Sequence, residues 1–95
     1  MTMGKSPMGK VVLTRGVYDW TIVNGEFRHF VSGCLKRHAR GDWGNLSHED
    51  RRQNELALKD GSRLLSAYEH WRLPKIWIIT EADRSATTVL FPDEY

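Results

Sequence analysis

Residues 75–91 read KIWIITEADRSATTVLF, and the division of this stretch decides the fold. Two runs rich in β-branched and aromatic side chains, 75–80 and 86–91, flank a polar break at 81–85. Such side chains fit a pleated, half-buried surface, so the runs predict two strands joined by a loop. Ile76, Trp77, Ile78 and Ile79 are apolar in succession, as in a central strand covered on at least one face. Pro92 stops the second run. Upstream, RLLSAYEHW (63–71) has the same character and is set off by Arg72-Leu73-Pro74. Three strands in succession with short connections predict an antiparallel meander.

Working outward, the preceding segments turn helical. Ser47-His48-Glu49-Asp50 resembles a capping box, with Ser47 as N-cap and acids in the first turn. It predicts a very polar surface helix over 48–60, ended by Gly61. Earlier, Phe27, Phe30, Val31, Cys34, Leu35 and His38 follow the spacing of one helix face. A helix over 27–40 follows, with Lys36, Arg37 and Arg40 at the negative end of its dipole and Gly41 just beyond it. Residues 17–23, VYDWTIV, leave strand and helix open: their composition favours a strand running into an Asn24-Gly25 hairpin, yet Asn24-Gly25 also suits a helix end. Val11, Val12, Leu13 and Thr14 predict a short strand. Residues 1–9 read as a loose leader without the apolar stretch of a signal peptide.

Composition bounds the rest. Ninety-five residues make one small domain. Four tryptophans, three tyrosines and three phenylalanines give it large buried areas without cross-links. A net charge of +2 is too small to indicate nucleic acid by itself. The single cysteine, Cys34, excludes an internal disulfide and points to the cytoplasm. No apolar run approaches the roughly 20 residues of a membrane span. The expected class is α+β: a small antiparallel sheet, made of the meander plus the N-terminal strand, with two or three helices on one face. The expected core includes Val12, Leu13, Phe30, Cys34, Leu35, Trp43, Leu64, Leu65, Ile76, Ile78, Val89 and Phe91.

Two clusters concentrate polar chemistry. HARGDWG (38–44) offers His38, Arg40, Asp42 and Trp43 among glycines. These groups form either the rim of a cleft, with His38 as acid or base and Arg40 as phosphate clamp, or a helix end that pins Trp43. The polar loop carries Glu81, Asp83, Arg84 and Ser85 beside Thr80. It is either a functional loop held by rigid strands or a turn whose side chains bond its own backbone. Arg40, Asp42, Trp43, Glu81, Asp83, Arg84 and Ser85 are therefore the candidate binding residues. Cys34 and His38 share a helix face, but two ligands do not make a zinc site, so neither metal nor cofactor is expected. No nucleophile elbow or phosphate-binding glycine loop is present.

The segments RHARGDWGNL, NELALKDGSRLLSAYE and KIWIITEADRSATTVLFPDEY resemble a family of short bacterial, archaeal and plasmid proteins without an assigned activity. Its members are often labelled plasmid related protein, or named after a subunit of type I restriction-modification enzymes. The resemblance covers nearly two thirds of the chain and brings no catalytic residues. It implies more helix in the N-terminal third, including 17–23. The order of an Arg-His helix followed by a compact antiparallel sheet is also similar to that of small ribonuclease toxins of the RelE and BrnT kind, although their motifs are not matched. Two functional expectations follow. One is a small non-catalytic interaction protein of mobile elements or their hosts, of an accessory or counter-defence kind, that binds a partner protein. The other is a metal-independent ribonuclease, in which His38, Arg40, Thr80 and Arg84 must converge on one open cleft.

Overall fold

The computed structural model describes residues 8–95; the first seven residues of the expected leader lie outside that range. The elements run β1 (Lys10–Leu13), α1 (Arg15–Val23), α2 (Gly25–Ala39), α3 (His48–Asp60), β2 (Leu64–Tyr68), β3 (Ile76–Thr80) and β4 (Ala86–Leu90), with a 3-10 turn at Pro92–Glu94. The chain folds as a small α+β domain.

β2, β3 and β4 form the antiparallel meander, with Ser66 opposite Ile78 and Ile78 opposite Val89. β1 adds to β4, in the order β1-β4-β3-β2. It runs parallel to β4, with Val11 beside Thr87 and Leu13 beside Val89. The sheet is therefore mixed rather than wholly antiparallel, because three helices intervene between β1 and the meander and return the chain in the same sense.

Residues 17–23 are helix. Thr14 is the N-cap of α1 and accepts from the Val17 N–H, while Asn24 closes α1 and caps α2 by accepting from the Phe27 N–H. The Glu94 carboxylate reinforces that start. It accepts from the Thr14 hydroxyl at 2.6 Å and from the Gly16 N–H at 3.2 Å, an anion placed at a helix N-terminus. The end of α2 is a Schellman turn: Gly41, at φ 84°, donates to the His38 carbonyl and Asp42 donates to that of Arg37. Ser47 caps α3 by accepting from the Asp50 N–H at 3.1 Å, and Gly61 ends that helix at φ 80°.

Helices α1 and α2 cover one face of the sheet. Val17, Phe27, Val31 and Cys34 pack on Tyr68, Ile76, Ile78 and Val89. A second cluster of Trp43, Ala57 and Leu64 lies under α3 at the β2 edge. Cys34, Trp43, Leu64, Ile76, Ile78 and Val89 are buried as expected, whereas Leu13, Phe30, Leu35, Leu65 and Phe91 are half-buried. Val12 is 37% exposed, against expectation, because it lies on an edge strand and points to the face without helices. Met8 and Gly9, expected in the leader, contact the sheet: the Met8 carbonyl accepts from the Thr87 hydroxyl, and a Cβ on Gly9 would stand 2.4 Å from the Arg84 carbonyl oxygen.

The two sheet edges differ. At β2, the Asn54 carboxamide takes the Leu65 N–H and donates to its carbonyl. The Ala67 N–H donates to the Trp43 carbonyl, and the Asn45 N–H donates to that of Ala67. The backbone approaches so closely here that a Cβ on Gly44 (φ 75°) would lie 2.1 Å from the Ala67 carbonyl oxygen. This edge is sealed. β1 forms the other edge.

Candidate functional site

His38 sits in the last turn of α2, on the face turned to the sheet, and is 2% exposed. Three hydroxyl-bearing or aromatic neighbours surround it. Nδ1 meets the Ser66 hydroxyl, Nε2 lies 2.8 Å from Thr80 Oγ1, and the Trp43 ring packs edge-on with centroids 5.5 Å apart. Thr80 Oγ1 is 2.7 Å from Thr87 Oγ1, which donates to the Met8 carbonyl at 2.7 Å.

The proton positions in this chain follow by elimination. A carbonyl only accepts, so the Thr87 hydroxyl must donate to Met8. Thr87 Oγ1 then accepts from the Thr80 hydroxyl, and Thr80 Oγ1 accepts from His38. The imidazole therefore carries its proton on Nε2, and Nδ1 accepts from the Ser66 hydroxyl. All the hydrogens point one way, from Ser66 to the Met8 carbonyl. Burial, with the nearby Arg84 charge as a smaller cause, lowers the His38 pKa from 6.5 to about 4, so the ring is neutral at pH 7. Such a chain satisfies buried polar groups and fixes the ring, and no buried side-chain polar atom among the described residues lacks a partner. It offers no open nitrogen to a substrate.

Arg84 is held in its own corner of the fold. It stands at φ 62°, a left-handed backbone. Its guanidinium donates to the carbonyls of Ser62 at 2.7 Å, Glu81 at 3.1 Å and Ala82 at 3.2 Å, and to Ala57 at 3.1 Å. It thus ties the β3–β4 turn to the C-terminus of α3, where a cation meets the negative end of the helix dipole. The acceptors are carbonyls rather than the Glu81 or Asp83 carboxylate. Asp83 accepts from the Ser85 N–H at 2.9 Å, and the Ser85 hydroxyl first, with this N–H second, holds its carboxyl below the usual range. Glu81 is exposed and its N–H donates to the Ala86 carbonyl.

In the 38–44 segment, Asp42 forms a two-pronged ion pair with Arg37 at 2.7 and 3.2 Å and accepts from the Gly44 N–H. The Arg37 hydrogen bond is the main cause of its lowered pKa, and Arg40 adds only a small part. The Tyr68 hydroxyl donates to the Asp42 carbonyl at 2.7 Å, and Arg37 lies over the Tyr68 ring. Trp43 is buried and its Nε1–H donates to Glu55 at 2.9 Å. This segment is a helix end that pins a tryptophan. Arg40 stands apart from it, exposed on the outer side of α2.

No family model, curated protein or solved structure matches the chain.

The structure therefore brings together only two of the four residues that a ribonuclease site requires. His38 and Thr80 touch, but inside the core. Arg40 faces solvent, and the Arg84 donors are engaged in the turn. Cys34 shares the inner face of α2 with His38, and burial pushes its thiol up to about 12. Among the described residues no group of three or more His, Cys, Asp or Glu side chains could hold a metal ion. Ser66 and Thr87, partners of the buried chain, were not singled out from the sequence. Their signal is register: both fall on buried, inward-facing strand positions, where a hydroxyl needs a partner.

Several large apolar side chains are also exposed. α1 carries Tyr18, Trp20, Ile22 and Val23 outward, the last two 59% and 81% exposed. Val11 and Val12 of β1 are exposed as well. No helix of the described residues is long and apolar enough to cross a membrane.

Proposed function

We propose that this chain is a small non-catalytic binding protein that occupies a partner protein. One observation carries the reading. The side chains able to do chemistry, His38, Thr80, Asp42 and Arg84, are committed to holding the fold, while α1 and β1 leave large apolar side chains in water. Exposed apolar surface grouped on neighbouring elements marks an interaction site. The resemblance of residues 35–95 to plasmid-borne proteins supports an accessory or counter-defence role in mobile elements or their hosts. A lone buried thiol fits the reducing cytoplasm.

The test is co-purification of the tagged chain from its native host, together with Tyr18→Glu and Ile22→Glu variants. A partner at one-to-one stoichiometry, lost with either charged variant while the fold is kept, is the expected result. RNA cleavage by purified chain that disappears in His38→Gln, with no partner recovered, would replace this reading by the ribonuclease.

A further inference from the structure

The outer side of α2 carries a row of residues one turn apart: Arg28, Ser32, Lys36 and Arg40. Side chains four apart on a helix are neighbours, and like charges so placed repel. Arg28 is anchored by a hydrogen bond to the Thr21 carbonyl. Among the described residues Lys36 and Arg40 have neither an ion pair nor a side-chain hydrogen bond. The row forms the rim of an apolar trough between α2 and β1. One part, of about 430 Å³, has Met8, Leu35 and Ala39 as its floor and Lys36 and Arg40 as its wall. The other, of about 400 Å³, adds Val11, Leu13, Val31 and Arg28. Ser32 and Leu35 belong to both, so the trough is continuous. Among the described residues, every charged residue lining it is basic.

Beside the trough lies the β1 edge. Lys10 donates to the Ser85 carbonyl and Thr14 to that of Val89. Alternate residues of a parallel strand turn both backbone groups the same way, so Lys10, Val12 and Thr14 face β4. The N–H and C=O groups of Val11 and Leu13 therefore point outward. Edge strands are ordinarily blunted by charge, proline or a bulge. β1 carries one lysine at its start and then Val-Val-Leu, whereas the β2 edge is closed by Asn54 and the 43–45 backbone.

Resting on the binding-protein reading above, we infer that the β1 edge and the α2 trough together take an extended, glutamate-rich segment of the partner protein as a fifth strand. Backbone groups of Val11 and Leu13 hold the added strand, as in other strand-addition complexes. Each step along the α2 row rises about 6 Å. Two residues of a strand span about 6.6 Å, so acids at alternate positions keep pace with the cations. Glutamate suits the site better than aspartate, because its methylenes cover Leu35 and Ala39 while its carboxylate reaches Lys36 and Arg40. Aliphatic residues between the acids continue the apolar sheet face beyond Val12. Single-stranded nucleic acid fits less well, since its sites stack bases on aromatic rings and no aromatic side chain among the described residues lines this trough.

The probe is an end-capped, fluorescent peptide of alternating valine and glutamate, titrated into the whole chain and followed by anisotropy. Saturable binding is expected, weakened about tenfold or more by Lys36→Glu with Arg40→Glu, since reversing both charges replaces attraction by repulsion. Val11→Pro removes an outward N–H without touching the β1–β4 ladder, and should weaken binding comparably. Thermal melting checks that the variants fold. On the unaltered protein, hydrogen exchange at the Val11 and Leu13 amides should slow when peptide is added; unchanged exchange overturns the inference. So does an equally tight thymidine oligonucleotide that ignores Val11→Pro, or a dimer of this chain that Val11→Pro dissociates. A native partner that binds one-to-one yet ignores both the charge reversal and Val11→Pro removes the added strand and leaves the proposed function standing.

Discussion

At the scale of single residues, two side chains that attract attention in the sequence act as internal fasteners. His38 is neutral inside its hydroxyl chain, and its folded pKa lies below its unfolded one. Its contribution to stability is thus complete above about pH 6.5 and falls as the pH drops toward 4, where the unfolded chain takes up a proton that the native state refuses. The gap from 6.5 to about 4 is worth roughly 3 kcal/mol. Urea unfolding at pH 7 and pH 4 should show this loss in the parent chain and most of it missing in His38→Gln; equal pH dependence of the two would refute it. Arg84 combines four hydrogen bonds to carbonyls with a left-handed backbone. Arg84→Ala loses the bonds and keeps the strained φ, so a cost of about 2–3 kcal/mol is expected. Arg84→Gly loses the same bonds but relaxes the backbone, and should be the less harmful change by about 1 kcal/mol. Thermal melts of the two variants decide it.

At the scale of elements, legibility followed the range of the forces that shape each one. α2 and α3 were readable because their periodicity, Gly41, Gly61 and the Ser47 cap are local. The meander was readable for the same reason, since its connections are short. α1 was not, because the carboxylate that completes its start comes from Glu94, 80 residues along the chain from Thr14. Val12 was misplaced because composition announces a strand but not whether that strand lies at an edge. In the candidate site, His38 and Thr80 were legible as polar groups on inward positions. Their partners Ser66 and Thr87 required the β2–β3–β4 register. The seal at the β2 edge makes its own prediction. Asn54→Ala removes both bonds to Leu65 and leaves a backbone N–H at the edge unsatisfied, at a cost of about 2 kcal/mol. It should also raise aggregation, because the strand edge is uncovered. Denaturant unfolding and light scattering measure the two effects, and a variant as stable and as monodisperse as the parent would show that Asn54 is dispensable.

At the scale of the whole molecule, the fold closes around a shielded thiol. Cys34 is buried among Val31, Tyr68 and Ile78, and its thiol is held far from ionisation. Alkylation at neutral pH should therefore be negligible in the native protein, and its rate should rise with urea along the same curve as global unfolding. Rapid labelling without denaturant would mean that α2 lifts from the sheet on its own. The pairing of β1 with β4 reaches further. A ribosome delivers β1 long before β4, its sheet neighbour among the described residues, and the clasp between Thr14 and Glu94 is delivered later still. The nascent chain must therefore wait with the apolar sides of α1 and α2 uncovered until β4 and Glu94 have been made. Maturation of this domain is then a single event, and a translational pause before Ala86 is added would leave the emerging polypeptide in the care of chaperones.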